Sequence, residues 1–492
     1  MISVCARALM LAAGLSLAAC GGSGDGGATA APPSAGASSG GGGGSSGSDQ
    51  CSLRNRQTWA QGVLNEWYLF PETLPASLDP TPFTTVEAYI DALTATARSQ
   101  RRDRFFTFLT SIQQENAFLN SGSSAGFGFR ISTDATARRV FVMESFEGTA
   151  ALAAGIDRGD EIVAVGTSAA NLRTVSDIIA AEGSAGVTNA FGPSTAGTQR
   201  TLRVTGPSGT RTIDVAKTDF ALSPVSSRYG ARIIDDGGRR VGYLNLRTFI
   251  STADPQLRAA FADFRAAGIT EFVIDFRYNG GGLVSTADLM GDLLGGNRFT
   301  SEVFSLTTYR PEKASNNSTK RFAPQPQSVS PMRLAFIGTT ATASASELVI
   351  NSFIPYYGSR LALVGTNTFG KPVGQVAIDR AACDDRIRVV AFTTKNSANS
   401  DAYFDGLKTA VANSCQAVDD LSRPLGTAAE ASTRAALDFL AGRPCTPIAD
   451  SGQPSQSAGE RANSGTEFVT GRRELLMPDN PAPAQRETPG LF

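Results

Sequence analysis

The chain contains no histidine. That absence removes the Ser-His-Asp triad, the Cys-His pair and every His-ligated metal site. Nucleophilic chemistry near neutral pH would then need lysine as its base, and Ser-Lys arrangements are a known variant of the triad logic. An excess of either charge is also lacking. Lys+Arg is 44 and Asp+Glu is 45, a net charge of −1, and no basic block stands out. That balance argues against nucleic acid as a partner. Long apolar runs are missing too. The run Ala8 to Ala18 is too short for a membrane-spanning helix. The cysteine spacing fits no zinc pattern, and nothing in the sequence asks for a metal or an organic cofactor.

What is present falls into segments. At 492 residues the chain is too long for one ordinary core, so two to four domains are expected. Residues 1–20 read as a targeting signal: Arg7 supplies the charge, Ala8 to Ala18 the apolar part, and Leu17-Ala18-Ala19-Cys20 is similar to a bacterial lipobox. That resemblance makes Cys20 the lipidated residue. It places the protein in a bacterial cell envelope, anchored in the outer membrane and facing the periplasm, because Gly21 is not the aspartate associated with inner-membrane retention. Residues 21–50 are almost only Gly, Ser, Ala, Pro and Thr, a composition that cannot bury enough apolar surface to order itself and reads as a tether. Cys51, Cys383, Cys415 and Cys445 remain for the folded part. In an exported chain they suggest two disulfides, with three connectivities open.

Residues 51–122 carry helical spacing at Trp59, Val63 and Trp67 and again from Val86 to Ala97, and read as a small helical packing domain without chemistry of its own. Residues 123–218 change texture. Gly126-Phe127-Gly128-Phe129 and Val140-Phe141-Val142 read as strands, Thr149 to Ile156 as a short helix, and Arg158 to Val165 as a turn into a strand. A helix from Val175 to Ala181 and a hairpin from Leu202 to Val215 complete the segment, with 182–201 a polar insertion. Residues 219–445 alternate strands and helices, which argues an α/β core with sites at the carboxyl ends of strands. Asn279 to Gly282 and Thr339 to Ser344 sit at such ends. Residues 446–492 read as a mostly irregular tail in which Glu467 to Val469 and Glu474 to Met477 could dock.

Three motifs carry chemistry. Ser344-Ala345-Ser346-Glu347 precedes an apolar run and fits a helix capping box. The same helix start supplies N–H groups and a positive dipole end that suit an oxyanion. Gly365 to Lys371 fits the start of a phosphate-binding loop, but Pro372 stands where a magnesium-binding hydroxyl belongs, so that reading is rejected. An exposed turn lysine is the plain alternative. Asn279-Gly280-Gly281-Gly282 after a strand is either turn chemistry or a place where backbone N–H comes close to a reacting group.

Taken together, Asp275 to Gly282, Ser344 to Glu347 and Thr368 to Lys371 with Gln375 resemble the C-terminal processing (tail-specific) serine peptidases, over roughly residues 100–440. The resemblance implies an α/β, crotonase-like peptidase core with a PDZ-like β-domain insert and a small N-terminal helical domain. It implies Ser344 as nucleophile, Lys371 as general base and Gln375 as the residue that orients the lysine. Gly281 and Ala345 would supply the oxyanion hole. Residues 123–218 resemble a PDZ domain, which makes Gly126, Phe127, Gly128 and Phe129 the binding loop for a peptide carboxylate. Substrates would be proteins or peptides with free, apolar C-termini. The Ser344–Lys371 spacing and Pro372 depart from the usual pattern in loops. An inactive peptide-binding lipoprotein and a binder of small apolar molecules are the competing readings.

Overall fold

Three neighbouring strands, Glu271–Asp275, Arg333–Gly338 and Leu361–Gly365, are almost wholly buried apolar runs. Strands of that kind suit a parallel sheet covered on both faces. In this computed structural model, which describes residues 49–449 and 473–492, they lie at the centre of a six-stranded sheet. The order is Arg232–Asp236, Arg239–Asn245, Glu271–Asp275, Arg333–Gly338, Leu361–Gly365, Asn413–Gln416. Only the first pair is antiparallel. Alternate residues serve opposite faces. Phe272, Ile274, Leu334, Phe336 and Leu363 pack under the helices Ala253–Ala266, Val284–Leu294 and Ala345–Tyr357. Val273, Ala335, Ile337 and Val364 pack under Ala431–Leu440. The chain is a mixed α/β protein. Cys20, the signal and most of the tether lie outside the described residues, as does Glu467 to Val469. Among the described residues no helix is long and apolar enough to cross a membrane.

The N-terminal segment packs against a distant part of the chain. Its helices Leu53–Trp67 and Val86–Leu93 start at Ser52 and Thr85, whose side chains accept from the backbone N–H three residues on. Their apolar faces need a partner and find one far along the chain. Val63, Leu64 and Tyr89 share a core with Val373, Ile387 and Val389. The last three belong to the antiparallel strands Val373–Arg380 and Asp385–Lys395. Phe108–Ser111 pairs directly with Asp385–Arg388. The disulfide Cys51–Cys383 closes this contact, and Cys415–Cys445 joins the edge of the parallel sheet to the segment after Ala431–Leu440.

Residues 123–218 form a β-domain around the strands Phe129–Asp134, Arg139–Ser145, Glu161–Gly166, Gln199–Gly206 and Gly209–Ala216. One helix, Val175–Phe191, runs well beyond the expected Ala181 and breaks stride at Gly183. Half of the expected polar insertion is therefore helix, because Val187 and Phe191 bury into the domain core. Two short elements also form within residues 473–492. Arg473–Leu475 pairs antiparallel with Phe129–Asp134, so part of Glu474 to Met477 does dock, and Pro483–Glu487 is a short helix.

Buried charges join the β-domain to the α/β core. Arg277 makes a two-pronged contact with Glu430, both bonds 2.9 Å, and also meets Asp275 and Asp419. Arg158 of the β-domain reaches the same Asp419 at 2.6 Å. Glu144 bridges Arg130 and Arg247, each at 2.8 Å. Such networks add little net stability, yet removing one partner typically costs about 3–5 kcal/mol because a charge is stranded.

Candidate active site

Three loops leave the carboxyl ends of the adjacent strands Glu271–Asp275, Arg333–Gly338 and Leu361–Gly365. They carry Asn279 to Gly282, Thr339 to Ser344 and Thr366 to Lys371. Parallel neighbours with short exits bring these stretches together although nearly a hundred residues separate the first from the last.

Ser344 ends the second loop, one residue before the helix Ala345–Tyr357. Its φ of 55° with ψ of −115° is strained for a residue with a side chain. Its backbone N–H donates to the Glu347 carboxylate at 3.1 Å, which is half of the expected capping box. Ala345 N–H is the first of the helix, one of the donors that no helical carbonyl can satisfy. The glycine turn presses against this corner. A side-chain carbon on Gly281 would lie 2.8 Å from Ser344 Cβ and 3.1 Å from Ala345 N, at a φ of 121° that only glycine adopts readily. Asn279 pins the turn: its amide donates to Leu246 O at 2.8 Å, and its carbonyl oxygen accepts from Ala343 N–H at 3.1 Å. The Gly281 N–H donates to Asn279 Oδ1 at 3.0 Å, whereas Gly280 N–H meets a backbone carbonyl, Glu487 O, at 3.0 Å.

Lys371 ends the third loop. Its ammonium donates to Gln375 Oε1 at 3.0 Å and lies 5.1 Å from the centre of the Phe106 ring. Although the residue keeps some exposed surface, burial pushes its pKa below the ordinary lysine value, against the opposing charges of Glu487 and Asp103. Burial disfavours the charged form, which is how a lysine becomes a base. Gln375 is oriented in turn: its amide N–H donates to the Phe106 carbonyl. Glu347 ties the two corners. One of its oxygens accepts from Ser344 N–H and from Lys371 N–H at 2.8 Å, and the other accepts from Gly370 N–H at 2.7 Å. The structure thus gathers Ser344, Ala345, Gly281, Lys371 and Gln375 in one place.

Sequence reasoning missed the support behind them. Asp103 is fully buried and accepts from the N–H groups of Phe106 and Thr107 and from the hydroxyls of Thr107 and Tyr68. It holds the carbonyl that orients Gln375. Arg104 donates to Phe369 O at 2.7 Å and Gly370 O at 2.6 Å, just before Lys371. Burial lowers its pKa to about 10. The signal was there: Asp103-Arg104 opens the aromatic run Phe105-Phe106-Thr107-Phe108, and charges beside such a run must be paired if buried.

In the β-domain, Gly128 N–H and Phe129 N–H donate to Phe492 O at 2.9 and 3.3 Å, and Phe492 N–H returns a bond to Phe129 O at 3.0 Å. Gly128, at φ 84°, packs so tightly on Thr149 that a side-chain carbon would lie 2.1 Å from it. Phe127 and Phe129 stack at 5.4 Å and both meet Phe191, which also meets Phe492 at 5.5 Å. Gly126 lies beside the backbone of Phe492.

Residues 240–454 match the family model of peptidase family S41. The chloroplastic C-terminal processing peptidase of Tetradesmus obliquus is 28% identical over 279 residues, which cover 53% of this chain and 54% of that protein. The carboxyl-terminal-processing protease of a Picosynechococcus species is 27% identical over 252 residues, covering 51% and 55%. The chain spans about half the length of the curated relatives it matches. A crystal structure from Bacteroides fragilis, described as that of an S41 protease, aligns at a TM-score of 0.59 over 78% of this chain and 97% of that one. At 23% identity the likeness concerns the fold.

Proposed function

From the match of residues 240–454 to the model of peptidase family S41, we propose that the protein is a serine endopeptidase of the C-terminal processing type, with Ser344 and Lys371 as a catalytic dyad. The core would be crotonase-like, with residues 123–218 as a PDZ-like insert beside a helical N-terminal domain. Neutral Lys371 takes the Ser344 proton as Oγ bonds to the scissile carbonyl carbon. The carbonyl electrons move onto oxygen and return as the C–N bond breaks, and the leaving amine takes the proton from Lys371. Water then gives a proton to the same lysine as its oxygen bonds to the acyl carbon, and the C–Oγ bond breaks as Ser344 Oγ takes that proton back from Lys371. The Ala345 N–H at the helix start and the Gly281 N–H would be the oxyanion donors. No cofactor is required.

The observation that carries the proposal is the partner of Lys371: an amide oxygen rather than a carboxylate, with burial lowering the pKa. At an ordinary pKa of about 10.4, well under about 1% of a lysine is neutral at pH 7. The gap must be closed by burial, and an ion pair would have widened it.

The Gly126–Phe129 loop, whose N–H groups hold a chain carbonyl, supports a role for the β-domain in capturing apolar C-termini. The proposal extends to Cys20 as a lipid anchor in the bacterial outer membrane, facing the periplasm, which metabolic labelling with a fatty acid would test against Cys20→Ala. The main test incubates wild type, Ser344→Ala and Lys371→Ala with a loosely folded protein ending in apolar residues and with its polar-tailed twin. Cleavage by wild type alone, faster for the apolar tail, is expected. Tail binding without cleavage by any form would replace the peptidase with a peptide-binding module.

A further inference from the structure

The strand Phe129–Asp134 has one edge on Arg139–Ser145. Its other edge is the row of backbone groups to which an incoming peptide would add as a strand. Residues of this chain already occupy it twice. At the far end Arg473–Leu475 pairs with Ser132 to Asp134, and Leu476 N–H donates to Ile131 O at 3.1 Å. At the near end Ile131 N–H donates to Gly490 O at 2.9 Å, Leu491 faces Arg130, and Phe492 fills the aromatic socket described above. Between these two attachments the chain leaves the edge and crosses the candidate active site. Pro478 to Pro481 line a cavity shared with Phe106, Phe369 and Lys371. Arg486 and Glu487 line a second cavity, with Ser344 and Gln375. The Glu487 carbonyl accepts from Gly280 N–H, and the Arg486 guanidinium lies 3.7 Å over the Phe108 ring. Ala484 anchors the crossing in a small apolar cluster with Phe118, Leu222 and Ile250.

We propose that residues 473–492 are an intramolecular strap that fills the peptide-accepting edge of the β-domain and the cleft over Ser344 and Lys371 in one excursion, so that a substrate must displace it to reach the nucleophile. The inference rests on the peptidase reading for its consequence, though not for its geometry. The strap places a backbone carbonyl on a donor of the glycine turn and an aromatic residue in the socket of Phe127, Phe129 and Phe191. It is therefore bound by the same backbone chemistry that would bind an extended peptide. Being part of the chain, it competes at a high effective concentration, on the order of millimolar for short connections. Displacing segments should carry a large aromatic residue at the position that Phe492 fills.

The test unseats each part separately in the full chain. Leu491→Asp/Phe492→Asp attacks the near attachment, and Ala484→Asp lifts the crossing without touching the β-domain core, so a folding failure of the first leaves the second informative. Hydrogen exchange at Ile131 and Gly280 reports whether the strap has left. Cleavage of a loosely folded protein should rise about tenfold or more in the unseated forms. A synthetic peptide of residues 486–492 should slow the unseated forms and leave wild type unaffected. Faster exchange with an unchanged rate would overturn the proposal. So would mass spectrometry showing wild type cut within the strap by Ser344, which would make the segment a substrate. If no form cleaves anything, but a fluorescently labelled form of the 486–492 peptide binds the unseated forms and not wild type, the strap stands and the peptidase reading falls.

Discussion

The carboxylate of Glu347 accepts the backbone N–H of Lys371 at 2.8 Å. The same oxygen accepts that of Ser344, and its twin that of Gly370. One buried side chain therefore sets the spacing between the backbones of the proposed nucleophile and base. Glu347→Ala would leave three buried N–H groups without their acceptor, at about 1–3 kcal/mol for each one that stays dry. Urea unfolding should show a loss of several kcal/mol, and kcat should fall about 100-fold, because misplacement by about 1 Å costs that much. Glu347→Gln keeps one acceptor oxygen and should lie between the two. A variant of normal stability and normal kcat would remove Glu347 from the account.

A pH dependence of the proposed cleavage follows from the role assigned to Lys371. Burial holds its pKa below the usual lysine range, and the neutral form is the base, so kcat/KM should rise with pH and level off once Lys371 has lost its proton. Gln375→Glu would place a carboxylate where the amide oxygen now sits, 3.0 Å from the ammonium. An opposite charge at that distance raises a lysine pKa by about 1–3 units. The rising limb should move to higher pH by that much, with the plateau largely recovered above it. A limb that stays in place would mean another group titrates.

Asp288 offers a stability test remote from the dyad. It lies on Val284–Leu294, burial pushes its carboxyl up to about 6, and its Oδ1 has no hydrogen-bond partner among the described residues. The folded pKa is raised, so the folded state is penalised once pH exceeds the unfolded value of about 3.9, and the penalty is complete above about 6. Asp288→Asn should therefore stabilise the protein at pH 8 by up to about 3 kcal/mol, with about half that gain at pH 5. Equal gains at both pH values would show that Asp288 does not titrate as described.

The disulfide Cys51–Cys383 ties the start of the first N-terminal helix to the turn Ala381–Cys383. Its sequence separation of 332 residues constrains the unfolded chain strongly. Cys51→Ser/Cys383→Ser should cost about 2–5 kcal/mol. Thermal melting with and without the pair checks this, and an unchanged Tm would count against it.

Much of the α/β core was legible because its strands are short buried apolar runs and its helices carry their own period. Asn279 to Gly282 and Thr339 to Ser344 follow the strands Glu271–Asp275 and Arg333–Gly338, at strand ends as the sequence places them. What escaped depends on contacts between distant residues. Nothing local to Phe106 says that its carbonyl meets Gln375, and although the aromatic run beside Asp103 hints at a buried charge, its four donors are identified only by the fold. Where the end of the chain seats itself escaped for a related reason. Its proline content argues against regular structure, yet Leu476, Ala484, Leu491 and Phe492 are buried on surfaces that only the fold creates. The disulfide partners could not be chosen without the fold, because four cysteines at these spacings satisfy all three pairings equally well.

The hydrogen bond from Gln375 to Phe106 has a consequence for taking the protein apart. A fragment spanning 219–445 would contain Ser344, Lys371, Gln375 and Glu347, every side chain that the proposed reaction uses. It would nevertheless lack the carbonyl that aims Gln375 and the guanidinium that braces Phe369 and Gly370. The smallest portable unit of this chemistry is thus set by the reach of Asp103 and Arg104, and any transplant of the dyad to a new scaffold must carry a stand-in for that loop.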